Sequence, residues 1–128
     1  MLCYCNSKNE FQNCCERIIK KVHHANSPEQ LMRSRYTAFA LKNFDYLLAT
    51  HDPKTKADFD LKSNQSWANS VEFTKLEIIK STADQNKGTV EFKAYYTEIQ
   101  SKKNFIHHEL SQFRKENNIW YFVSGENP

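Results

Sequence analysis

Glycine is nearly absent, with two in 128 residues. Tight turns must therefore be built on Asn, Asp and Ser. No glycine-rich phosphate loop, nucleophile elbow or paired Asp at metal spacing is present. No apolar run approaches the roughly 18 residues that cross a bilayer as a helix. The start, Met1-Leu2-Cys3-Tyr4-Cys5-Asn6, has neither the basic nor the apolar part of a signal peptide. The expectation is a soluble cytoplasmic protein without membrane contact. Neither charge sign dominates: 18 Lys+Arg stand against 15 Asp+Glu, a formal +3. The positive residues are scattered, which makes nucleic acid an unfavoured partner. Repeats and low-complexity tracts are also lacking.

What is present is one domain's length and an unusual supply of rings. Hydrophobic residues are only 39% and mean hydropathy is −0.78, yet aromatics reach 13%, with nine Phe, six Tyr and two Trp. Large rings can build a core that so few aliphatic residues would leave thin. A disordered chain of this polarity would be poor in them.

All four cysteines fall in the first fifteen residues, at Cys3, Cys5, Cys14 and Cys15. In a reducing compartment, a C-x-C pair followed after eight residues by C-C suits a soft tetrahedral ion, with zinc the commonest. Unligated, redox-active thiols are the alternative, and His23 or His24 could replace one sulfur. Four thiolates around Zn²⁺ would lower the chain from +3 to ~+1. A fifteen-residue arm cannot fold on its own apolar burial, so the metal would supply its folding energy. The run from Cys3 through Ser7 and Phe11 to Cys14-Cys15 resembles the SEC-C motif, the zinc knuckle of the SecA translocase. Asn6 and Lys8 stand where that motif has glycines, which predicts a looser knuckle. The similar knuckle of SecA contacts a chaperone, so the resemblance implies a protein or ribosome-associated partner.

Further on, Phe11, Cys15, Ile18, Ile19 and Val22 predict a helix over residues 10–24. Ser27-Pro28-Glu29-Gln30 is a helix start, with an N-cap Ser, Pro at the first position and a capping Gln. Met32, Tyr36, Phe39, Ala40, Phe44, Leu47 and Leu48 continue it as one long helix to about Ala49. Residues 54–70 read as loop with a short helix over Gln65–Ala68, anchored by Trp67. From Val71 the period becomes two, predicting strands Val71–Ser81, Thr89–Ile99, Phe105–Lys115 and Ile119–Ser124. A slip at Glu98-Ile99 suggests a bulge. Short links imply an antiparallel meander, and helices before sheet imply an α+β fold.

Residues 31–53, with Leu76-Glu77-Ile78-Ile79, Gly88–Phe92, His108–Phe113 and Trp120–Glu126, resemble the YchJ-like family of small bacterial proteins. The resemblance implies a SEC-C knuckle over residues 1–25. A cone similar to nuclear transport factor 2 follows over 26–128: a long helix packed on a curved four-stranded sheet. Many members look as though they carry a second knuckle at the C-terminus, and Thr50-His51-Asp52-Pro53 departs from the family's pattern. The fold type is compatible with a homodimer through the outer face of its sheet, and with a pocket between helix and sheet.

Candidates to line such a pocket are Arg33, Arg35, Tyr36, Trp67, His107, His108 and Glu109. Arg33 and Arg35 lie ~200° apart on their helix, so one faces inward toward Glu109 or Tyr96 while the other is solvated. In one register of the third strand His107, Glu109 and Ser111 face the cone with Phe105 and Phe113; in the other, Ile106, His108, Leu110 and Gln112 do. Periodicity leaves both open. Asp45 and His51 lie near the helix end. The leading expectation is a zinc-binding, non-catalytic interaction module. The alternative is a small-molecule binder or enzyme, favoured by an enclosed polar pocket with a raised-pKa carboxylate and disfavoured by a cone filled with Phe and Tyr.

Overall fold

In the computed structural model of the chain, residues 1–21 and 24–128 are described. Four strands, β1 (Val71–Ala83), β2 (Lys87–Glu98), β3 (Asn104–Glu116) and β4 (Ile119–Glu126), form an antiparallel sheet in the order β1-β2-β3-β4. This is the expected meander. Its turns show how the chain manages without glycine. The Asp84 carboxylate accepts the N–H groups of Asn86 and Lys87, while Asn117 and Asn118 both take positive φ in the two-residue β3–β4 turn. The strands run past the expected ends because ladder pairing continues through polar residues, down to Ala83↔Gly88 and Leu110↔Glu126. The irregularities lie at Phe73/Lys75, Ile78/Lys80 and Gln112/Phe113. At the predicted slip β2 simply ends, and the Ile99 N–H turns to the Ser70 carbonyl.

The helical half departs further from expectation. Phe11–Asn13 is a 3₁₀ turn, and α1 covers only Cys15–Ile19. Cys14 breaks any longer helix with φ −127° and ψ −113°, the backbone turn that swings the adjacent thiols toward the arm. Val22 and His23 lie outside the described residues. Helix α2 (Pro28–Leu41) starts as predicted, with the Gln30 N–H donating to Ser27 Oγ. It does not continue to Ala49. Lys42 takes a left-handed φ of 62°, the Asn43 N–H closes on the Ala38 carbonyl, and Asn43 Oδ1 caps a new helix, α3 (Phe44–Thr50). The break lets α3 fold back so that its carbonyls meet Arg35 of α2. Capped by Asp60, α4 (Leu61–Ser70) is longer than the short helix predicted over Gln65–Ala68.

The core lies between α2 and the concave face of the sheet. Val90, Phe92 and Ala94 of β2 are buried there with Phe113 and Trp120, under Leu31, Tyr36 and Leu47. Phe92 pairs with Glu109, and Ala94 with His107. Directly opposed residues share a face, so the first of the two β3 registers holds. The chain after α3 is pinned by the buried Asp52 carboxylate, which accepts two hydrogen bonds from Arg114 at 2.7 and 2.8 Å. Those bonds hold its pKa below the usual 3.8. A depressed carboxyl stabilises the fold above its unfolded pKa and loses that contribution as pH falls through the folded value. Asp52→Asn is therefore expected to lower stability at pH 7 by ~2 kcal/mol in urea unfolding, with the deficit closing below about pH 4.

Candidate functional site

The arm before α1 folds back on itself, with the Cys3 N–H donating to the Asn9 carbonyl at 2.8 Å and Leu2 bridging Glu10. This hairpin brings the Sγ atoms of Cys3, Cys5, Cys14 and Cys15 within 4.8 Å of one another. With metal–sulfur bonds of ~2.3 Å, a tetrahedral site places its sulfurs ~3.8 Å apart. Cys5 and Cys14 stand at 3.7 Å, Cys14 and Cys15 at 4.0 Å, so the cluster could hold a metal ion. Contacts from Cys15 and Cys3 draw the Cys5 thiol far below its ordinary range, while contacts with Cys3 and Cys5 push the Cys15 thiol far up. Burial raises Cys14, and the Ser7 hydroxyl lies 3.3 Å from its sulfur. Four thiolates this close repel one another, and a cation is what would let all four sulfurs ionise together.

Asn6 and Lys8, the glycine stand-ins, both adopt left-handed φ, 63° and 70°. Asn6 does more than fill the position. Its Oδ1 accepts the Leu76 N–H at 2.7 Å, tying the knuckle to the free edge of β1. Arg33 braces the opposite side, pairing with Glu29 and donating to the Cys5 carbonyl at 2.6 Å. Thr37 Oγ1 approaches the Cys3 sulfur at 3.9 Å. His24 is not part of the cluster; it borders a separate cavity with Leu31 and Trp120. His23 lies outside the described residues.

On the other side of α2 is a cavity of ≈ 440 Å³ between the helices and the concave face. Trp67 stands in its wall with edge-on contacts to Phe39, Phe73 and Tyr96 at 6.0, 5.3 and 5.3 Å. Tyr36 lies beside Phe73, its hydroxyl pushed up to about 12 by burial. Arg35 is 4% exposed and its guanidinium lies 4.5 Å above the Phe122 ring. Glu109 accepts from His107 at 2.9 Å and from Ser111 at 2.5 Å. Burial pushes its carboxyl up, but these bonds together hold it below the ordinary value. The carboxylate is therefore ionised and not raised. It orients His107 with Nε2–H toward it. The rings wall the cone without filling it.

The comparisons with known proteins agree with this geometry. Residues 27–125 match the family model for YchJ, middle NTF2-like domain. The chain belongs to the YchJ-like family. A UPF0225 protein of Geobacter sulfurreducens is 38% identical, the match covering 97% of this chain and 78% of the relative. One from Vibrio cholerae is also 38% identical, over 100% of this chain and 84% of the relative. The solution structure of RPA3114, a SEC-C motif containing protein from Rhodopseudomonas palustris, superposes with a TM-score of 0.93 at 41% identity, covering 100% and 99% of the two chains. The crystal structure of a SEC-C motif containing protein from Psychrobacter arcticus gives 0.83 at 29%, covering 97% and 81%.

Within this YchJ-like chain, Arg35, Tyr36, Trp67, His107 and Glu109 line the cavity. Two expected members do not. Arg33 serves the knuckle, because two residues carry it to the far side of α2; it is braced there, not solvated. His108 faces outward on β3 and bonds Glu91 at 2.7 Å. His51, a lesser candidate, does line the cavity, held between Phe59 and Phe122. Asp45 sits in the first turn of α3, away from it. Sequence reasoning missed Gly125. A Cβ there would come within 2.2 Å of the Glu109 carboxylate, so this glycine makes the room that Glu109 occupies. The expected fourth strand stopped at Ser124, one residue short of it, so the sequence carried no local signal for this role.

The two glycine stand-ins should respond differently to restoration. Asn6→Gly removes the Oδ1 that accepts the Leu76 N–H and is expected to lower stability by ~1–2 kcal/mol. Lys8→Gly relieves a left-handed lysine and is expected to leave stability unchanged or raise it by up to ~1 kcal/mol. Thermal unfolding of both variants under reducing conditions checks this, and equal effects would contradict it.

Proposed function

We propose that this chain is a cytoplasmic zinc-binding protein in which the ion is structural and the folded chain serves as a protein-interaction module. The convergence of the four cysteine sulfurs carries this reading. Thiolates in a tetrahedral set favour zinc among the common ions. A shell of four leaves no position for water or substrate, so a bound ion would contribute folding energy and no metal hydroxide. What the knuckle then offers is surface. Met1, Leu2 and Tyr4 expose apolar area beside it, which suits a protein partner better than a polyanion. A second reading, a small-molecule binder, is favoured by the aromatic-walled cavity and its buried polar groups.

Reduced, untagged protein is expected to carry about one zinc per chain by inductively coupled plasma mass spectrometry. A Cys3→Ser, Cys14→Ser double variant should carry none, and chelation of the wild type should lower its thermal midpoint. A metal-free wild type that melts unchanged with chelator would remove the structural-zinc reading.

A further inference from the structure

Arg35 uses only part of its donor set. Nη1 donates to the Leu47 carbonyl at 2.9 Å and to Thr50 Oγ1 at 2.7 Å, stapling α2 to α3. Nε and Nη2 have no hydrogen-bond partner among the described residues, and the guanidinium is in no ion pair there. Among the described residues only His51 Nδ1 is a fully buried side-chain polar atom without a partner, so the Nε and Nη2 edge of Arg35 stays open to the cavity that this side chain lines, where an acceptor could reach it.

We infer that the cavity takes an uncharged, aromatic-sized carbonyl compound, with its oxygen accepting from the Nε and Nη2 edge of Arg35. The assignment rests on the small-molecule reading above and names the chemistry that reading leaves open. The size fits: ≈ 440 Å³ is within the ~300–1,000 Å³ of small-molecule sites. Trp67, Phe73 and Tyr96 supply ring edges and faces for an apolar body. The charge argument weighs against a ligand with net charge of either sign. Glu109 lines the same cavity, bonded to His107 and Ser111 as a carboxylate, without touching Arg35. An anion drawn to the guanidinium would share the cavity with that carboxylate. A cation drawn to the carboxylate would share it with the guanidinium. A carbonyl oxygen satisfies the idle donors and adds no charge.

The test is an NMR titration of the whole chain with acetophenone, ethylbenzene and benzoate. Acetophenone and ethylbenzene have nearly the same shape and differ in the carbonyl oxygen. Acetophenone is expected to move the Trp67 indole and Arg35 Nε–H signals and to bind about tenfold more tightly than ethylbenzene. Benzoate should bind more weakly than acetophenone, and Arg35→Met should erase the preference for the ketone. Equal affinities for acetophenone and ethylbenzene would overturn the carbonyl assignment and leave the small-molecule reading standing. Tightest binding by benzoate would overturn it in favour of an anion site. No response to any probe at millimolar concentration would remove both. Should Arg35→Met lose its fold with the α2–α3 staple, the wild-type Arg35 Nε–H signal decides. It must move with acetophenone and stay with ethylbenzene.

Discussion

The convergence of four sulfurs at the N-terminus is the constraint around which the first half of the chain is arranged. Like-charged thiolates repel at these distances, and the arm that carries them has little apolar surface of its own, so the cluster must be held from outside. It is held from two directions: the Leu76 N–H of β1 reaches Asn6, and Arg33 of α2 reaches the Cys5 carbonyl. The knuckle thereby occupies one N–H of the edge strand β1, where an unpaired donor would otherwise invite another strand. Cys3, Cys5 and Cys15 are buried in the same core cluster as Leu31, Val90 and Trp120, so arm and sheet share one interior.

Helix α2 separates two different environments. One side faces the knuckle through Arg33, and the other faces the cavity through Arg35 and Tyr36. The two arginines show how burial distributes work. Arg33 is half-buried and commits Nε to a carboxylate and Nη1 to a carbonyl. Arg35, deep in the molecule, has burial lowering its pKa to about 10, yet it is tied by one nitrogen only. The balancing carboxylate, Glu109, sits across the cavity on β3, where Gly125 of β4 leaves space for it.

Much of this was legible in the sequence, for reasons specific to each element. The alternation of Val90, Phe92, Ala94 and Tyr96 marked β2, Ser27-Pro28 marked the start of α2, and the cysteine spacing marked the knuckle, though Lys8 gave no local sign of the left-handed φ it adopts. The break at Lys42-Asn43 was hidden because Tyr36, Phe39, Phe44 and Leu47 keep helical spacing straight through it. The decision lay with Asn43 as a cap and with Arg35 reaching back to Leu47. Helix α4 was hidden by its polarity, since Trp67 and Ala68 are nearly all it gives the core. The choice between His107 and His108 needed the pairing partner, because two adjacent histidines look alike until Ala94 is placed opposite one of them. The bond from Leu76 to Asn6 spans 70 residues and has no local signature.

The two-residue offset between Arg33 and Arg35 also sets where the chain can change length. Adding or removing one residue between them would turn the rest of α2 by ~100°, swinging the guanidinium that belongs to the cavity toward solvent or knuckle. The residue count of that turn is thus as constrained as its side chains, Ser34 among them, which is fully buried and bonded to the Leu31 carbonyl and the Tyr46 hydroxyl. The exposed link from Ile99 to Lys103 has no such duty, and a longer loop there would add only a small closure entropy. Insertions and deletions should therefore gather in the hairpin links and spare the first three turns of α2.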